Sequence, residues 1–251
     1  MPTVAELSAP YGNFMRAPQP GPDVCSTCFN ITDGYGRCYA CARGGRWLDA
    51  VAPISYSVGG EQLHHALAGY KRLSGPVARE FALGIAAVLW RYLEAHERCL
   101  ATAVGIESFP TVTTVPSSGR ERQDANALHR LVAELVAPVR GRCERLLLRS
   151  EAPAQPHRFD RERYAPMREL DAKPVLLIDD MWTTGANAQS AAAALKTAGA
   201  SAVAAVVVGR HINREWHRND GHLRALPEPF DWEHCVLCRP AAAPERRVVG
   251  Y

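Results

Sequence analysis

Two acids, Asp179 and Asp180, stand side by side at the end of an apolar run, and two threonines and a glycine follow almost at once: VLLIDDMWTTGAN, residues 175–187. A buried strand that ends in carboxylates places hydrogen-bond acceptors at its tip. Thr183, Thr184, Gly185 and Ala186 then lead into an alanine-rich run that predicts a helix. A strand–turn–helix junction of this kind presents backbone N–H groups, the positive end of a helix dipole and two hydroxyls, a set suited to a phosphate. Gly185 lets the backbone approach the anion without a Cβ in the way, and the N–H of Asn187 can serve the same anion. Acceptors beside donors suit a sugar phosphate, whose vicinal hydroxyls would meet the carboxylates. Adjacent residues on a strand point to opposite faces, which argues against a two-carboxylate metal cage. No Gly-Lys-Ser/Thr follows, so this is not a Walker loop. The acids alone also fit a receiver-type acidic pocket or a strand ending in a solvated turn.

A second anion loop is predicted in VPSSGRER, after the strand TVTTV. Ser117, Ser118, Gly119, Arg120 and Arg122 combine hydroxyls, a tight turn and guanidinium groups, which suit a diphosphate; the alternative is an ordinary basic turn opening a helix. Cys25, Cys28, Cys38 and Cys41 form two CxxC pairs with the spacing of a tetrahedral zinc ribbon. Four thiolates leave no open position, so the zinc would be structural. Near the C-terminus HCVLC supplies His234, Cys235 and Cys238, three ligands of a second metal site whose fourth is expected from elsewhere in the chain, another histidine for example, against packed thiols as the other reading. Cys99 and Cys143 read as core residues, Trp182 as a packed aromatic, and His64 and His65 as a solvated helix face.

Residues 175–187 resemble the phosphoribosyl-diphosphate (PRPP) signature of the type I phosphoribosyltransferases. The resemblance implies that Asp179 and Asp180 hold the ribose hydroxyls and that Thr183 through Asn187 hold the 5′-phosphate. It also implies Mg²⁺ bridging substrate oxygens, and transfer of the phosphoribosyl group to a nitrogen acceptor with release of diphosphate. The loop at 115–122 resembles the diphosphate loop of glutamine amidophosphoribosyltransferases. Most of the chain is similar to the competence protein F (ComF) family: the four-cysteine module, GYKR at 69–72, whose Lys71 and Arg72 read either as facing the site or as an exposed basic turn, Arg120, Arg122 and Asn126, and the Gln155 and Arg161–Arg163 segment. The chain departs from these patterns in three places. Asn187 stands where the signature more often has Thr or Ser. The segment RERYAP lacks a downstream Asn. Thr183 stands where hypoxanthine-guanine phosphoribosyltransferases carry an acid, which disfavours a 6-oxopurine acceptor. Nucleic acid, a protein of the competence machinery and a second copy of the chain are further candidate partners, and a PRPP-binding or DNA-uptake-associated accessory or regulatory protein without turnover is the alternative function.

The elements that must position these residues follow from periodicity. Alternation in VAPISYSV, the run TVTTV, and strands at 144–148, 175–178 and 202–208 are separated by helical patterns, one opened by Ser74 and Pro76 and running towards His96, one near 124–136 and one at 186–198 stopped by Gly199. Strands alternating with helices predict an α/β fold with a parallel sheet, here a type I phosphoribosyltransferase domain over 47–222. A loose tail is expected over 1–21, the zinc ribbon over 22–46 and a CxxC extension over 223–251. Residues 149–173 read as an unpatterned lid. The 251 residues, 47% apolar and 22% charged with net charge +3, are ordinary for a globular chain and give no argument for a dominant nucleic-acid surface. No apolar run predicts a membrane span and no signal peptide is read, so a reducing cytoplasm is expected, where paired cysteines favour metal over disulfides.

Overall fold

The structure, a computed structural model, describes residues 2–117, 126–151 and 155–238. The N-terminal half holds α1 (Val4–Gly12), α2 (Tyr39–Arg43), β1 (Ala50–Val58), α3 (Gln62–Arg72), α4 (Gly75–Ala103), β2 (Thr111–Thr114) and α5 (Ala127–Leu135). Next come α6 (Ala137–Arg140), β3 (Leu147–Arg149), β4 (Tyr164–Pro166), β5 (Val175–Trp182), α7 (Ala186–Thr197), β6 (Val203–Ile212) and α8 (Asn219–Arg224). Four strands form a parallel sheet in the order β1-β6-β5-β2, so the chain is α/β as its alternation predicts. Strands β5 and β6 sit in the middle, buried on both faces along nearly their whole length, which explains why VLLI and VAAVVV read as continuous apolar runs rather than alternating ones.

Side chains of β5 divide between two cores. Leu176 and Ile178 face a cluster built with α1, α3 and α4, while Val175 and Leu177 face one built with α7. Helix α7 buries nine of its twelve residues, mostly alanines, and these small side chains let it lie close on the sheet. Helix α4 starts at the N-cap Ser74 with a proline in its first turn, as expected, but continues past His96 to Ala103.

Three expectations are corrected. The N-terminal stretch expected to be loose is helical. Thr3 and Glu6 form a reciprocal capping box, and Tyr11 and Met15 are buried in the main core. Segment 144–148 does not add a strand to the parallel sheet. The chain touches β2 through a single bridge between Val112 and Cys143; the Leu146 amide then donates to the Thr113 hydroxyl instead of a strand carbonyl, and the chain turns away into β3. That strand pairs antiparallel with β4, so segment 149–173 is not unpatterned either. It buries Tyr164 and Leu170, and its buried Arg163 donates to the carbonyls of Gln155 and Arg158 at 2.8 and 2.6 Å. Among the described residues no helix is long and apolar enough to cross a membrane.

Candidate functional site

Asp179 and Asp180 straddle the sheet in the C-terminal half of β5, which does not end at Ile178 as expected but continues past them, paired with β6, to Trp182. The side chain of Asp180 follows Ile178 towards α3. There its Oδ2 accepts a 2.5 Å hydrogen bond from the Tyr70 hydroxyl and forms an ion pair with Lys71. Lys71, which the sequence leaves between the site and an exposed turn, therefore joins the acid pair. Asp179 follows Leu177 to the other face, where its Oδ1 accepts from the Asp180 amide at 3.0 Å. Both acids are buried, 8% and 4% exposed, whereas the Lys71 side chain is 37% exposed and links Asp180 to solvent.

Burial, and then the charge of Asp180, push the Asp179 carboxyl up to about 7, with Lys71 opposing them. The Tyr70 hydroxyl is raised well above its usual range by burial first and Asp180 second. The Asp179 shift has a consequence for stability. An unfolded Asp titrates near 4, so between pH 4 and pH 7 the native state holds a proton that the unfolded state has lost. Stability is fully present below pH 4 and falls as pH rises through 7, by a few kcal/mol at most. Asp179→Asn is therefore expected to flatten this slope and raise the melting temperature at pH 8. Equal melting temperatures for variant and parent from pH 5 to pH 8 would contradict the buried-acid assignment.

After Trp182 the chain turns through Thr183 and Thr184 to Gly185, which has φ +80° and caps α7. Thr184 Oγ1 accepts from the Ala186 amide at 3.3 Å and donates to the His157 carbonyl at 3.2 Å, tying the helix start to the segment before β4. Thr183 is exposed and Asn187 half-buried. The turn borders a cavity of about 860 Å³, whose walls include Trp182, Thr184, Gly185 and Ala186 together with Arg37, Arg43, Arg46 and Arg158. Neither Asp179 nor Asp180 lines it.

Of the second loop, Ser117 is half-buried just beyond β2, while Ser118, Gly119, Arg120 and Arg122 lie outside the described residues. The strand that leads to the loop is well placed. Thr114 is paired beside Ile178, and the Val115 amide donates to the Ile178 carbonyl at 3.0 Å, one residue before the acids. Asn126 caps α5, accepting from the His129 amide at 3.3 Å.

Cys25, Cys28, Cys38 and Cys41 are all buried, and their sulfurs lie within 4.8 Å of one another. The Cys28 and Cys38 sulfurs stand 3.7 Å apart. A disulfide needs about 2.05 Å, whereas two thiolates on one tetrahedral zinc, each about 2.3 Å from the metal, stand about 3.8 Å apart. The spacing fits a metal. Beneath the cysteines Arg210 is buried on β6. It donates to the carbonyls of Trp182 and His211 at 3.0 and 2.6 Å, its Nε has no partner, and its charge reaches Cys28, whose thiol Cys25 first and Cys38 second nevertheless raise well above its usual range. A buried guanidinium needs a counter-charge, and a zinc–tetrathiolate centre, which carries net negative charge, would provide it.

The second cysteine pair also gains partners, but different ones from those expected. His96, Cys99, Cys235 and Cys238 bring their ligand atoms within 4.8 Å of one another. His234 is not among them; its Nδ1 meets Asp231 at 2.6 Å. Cys99 is a member of this group rather than a plain core residue, and Cys143 belongs to neither group. The signal was present as His-x-x-Cys at 96–99, since residues three apart share one helix face, but a helix expected to end at His96 hid it. Trp182 is fully buried, as a packed aromatic should be, whereas His64 is half-buried, with its ring 5.3 Å from that of His211. No protein family matches the chain, and no curated protein matches it.

Proposed function

We propose that the chain binds PRPP and transfers its phosphoribosyl group to a nitrogen acceptor, using the type I phosphoribosyltransferase arrangement, with a structural zinc in the four-cysteine module. One observation carries this reading: the acid doublet lies near the carboxyl end of a central parallel strand, which runs on through a left-handed glycine into a helix N-terminus. Ligands of open parallel sheets gather beyond the carboxyl ends of the strands, and such a helix start suits a 5′-phosphate.

In this reading the ribose hydroxyls replace the Tyr70 hydroxyl and the Lys71 ammonium as donors to Asp180. Lys71, partly exposed, swings out to admit them and then neutralises substrate anion charge. Mg²⁺, held mostly by substrate oxygens and water, would neutralise the diphosphate as it leaves. The acceptor nitrogen forms a bond to the anomeric carbon as the carbon–oxygen bond to diphosphate breaks, and the nitrogen's proton passes to solvent. The chain's contributions are positioning and charge stabilisation. Asp180→Asn removes charge-assisted hydrogen bonds worth about 1.5–3 kcal/mol, so PRPP affinity measured calorimetrically with Mg²⁺ is expected to fall about ten- to a hundredfold. Undiminished affinity would refute the ribose role.

A second reading, a PRPP-binding accessory protein without turnover, is favoured by the burial of both acids behind Lys71 and Tyr70. PRPP binding without diphosphate release, across a panel of amines and nucleobases, would select it.

A further inference from the structure

We propose that His96, Cys99, Cys235 and Cys238 form a second structural zinc site, which fastens the C-terminal extension to the middle of the fold.

The distances are those of ligands around one ion. The Cys238 sulfur lies 3.5 Å from that of Cys235, 3.7 Å from that of Cys99 and 3.7 Å from His96 Nδ1. Tetrahedral zinc, with sulfur at about 2.3 Å and imidazole nitrogen at about 2.0–2.1 Å, sets sulfurs about 3.8 Å apart and nitrogen about 3.6 Å from sulfur. These sulfurs are too far apart for a disulfide, which needs about 2.05 Å.

The histidine is also set in the tautomer a metal requires. Its Nε2 lies 2.9 Å from the Trp232 carbonyl oxygen, which can only accept, so Nε2 carries the hydrogen and Nδ1 turns its lone pair to the sulfurs. Pinning one ring nitrogen by a carbonyl is how metal-bound histidines are oriented. The peptide carrying the CxxC is arranged for charged sulfur as well. The Cys235 amide donates to Cys238 Sγ at 3.2 Å, and the Leu237 amide donates to Cys235 Sγ at 3.4 Å. Two backbone donors thus point at sulfur atoms, and the buried Tyr92 hydroxyl nearby has no hydrogen-bond partner.

Four protein ligands leave no position for substrate, so the site is structural. It joins residues more than 130 apart in the chain. One pair lies on α4, which packs against α1 and the sheet; the other ends a segment whose Phe230 and Val236 enter the main core.

Elemental analysis of the purified full chain is expected to give two zinc ions per molecule. Cys235→Ser with Cys238→Ser should leave one, and Cys25→Ser with Cys28→Ser should also leave one. Cys99, Cys235 and Cys238 are only half-buried, so without metal they should react with iodoacetamide; in the native chain they should be protected, and become reactive when an organomercurial releases the second zinc. That measurement uses the unaltered protein and stands even if the variants fail to fold. Zinc content unchanged by the Cys235/Cys238 substitutions, native alkylation of these three cysteines, or a disulfide among them would overturn the proposal.

Discussion

Cys28→Ser is expected to remove one zinc ion, unfold the N-terminal module and lower the melting temperature of the whole chain. The module contains little apolar mass beyond its own cysteines, Val24, Phe29 and Ile31, and so small a core cannot offset the entropy of ordering it. A structural zinc contributes on the order of 10 kcal/mol to such a module. Damage should spread because the module is tied to the sheet at two buried points. The Tyr56 hydroxyl on β1 donates to the Phe29 carbonyl at 2.7 Å, and Arg210 on β6 loses the counter-charge of the metal centre, leaving a buried cation whose cost is about 3–5 kcal/mol. Limited proteolysis should cut within 22–46 in the variant and not in the parent. Arg210→Met, in the Cys28→Ser background, should recover part of the lost melting temperature. A Cys28→Ser protein with full zinc content and unchanged proteolysis would remove the metal from the argument.

What the sequence made legible is local, and what it concealed is tertiary. The path from Val175 to Thr197 was readable because strand, turn and helix each carry their own signal within a few residues: an apolar run, a glycine that alone tolerates φ +80°, and an alanine-rich helix. The paired CxxC spacing was readable for the same reason. Tyr70 gave no such signal. It reads as one more apolar position of α3, and only the crossing of α3 over the tip of β5 turns its hydroxyl and the neighbouring Lys71 onto Asp180. His96 and Cys99 were likewise legible as a helix face but not as ligands, since their partners lie at the far end of the chain. In the segment before β5, Arg163 hid the structure: a buried arginine held by two backbone carbonyls, its Nε left without a partner, leaves no periodicity and no acidic partner to look for. The N-terminal helix carried its capping box openly, Thr3 followed by Glu6, yet the surrounding prolines and small residues outweighed it.

Gly185→Ala should be the most damaging single-methyl change in the chain, for two separable reasons. A residue with a Cβ at φ +80° bears a left-handed penalty of about 1–2 kcal/mol. That Cβ would also stand 2.1 Å from Cζ2 of the Trp182 ring. The indole is 1% exposed and shares a buried cluster with Val115, Tyr164 and α7, so relief requires it to leave that packing towards the cavity it borders; overpacking of this kind costs about 1–3 kcal/mol. Together these give a loss of roughly 2–5 kcal/mol, or about 4–20 °C in melting temperature for a chain of this size. The two terms separate in a double-mutant cycle with Trp182→Leu, which opens the space the methyl needs. In that background only the backbone term remains, so the two substitutions should couple favourably by about 1–3 kcal/mol. Strict additivity would mean that the ring does not confine the turn. The functional consequence follows from the same geometry. The glycine that lets indole and backbone close on each other is the residue that sets the first amides of α7, so on the proposed reading PRPP affinity should stay depressed in Gly185→Ala with Trp182→Leu even though the clash is relieved, while the stability of the double variant also carries the cost of removing the buried indole.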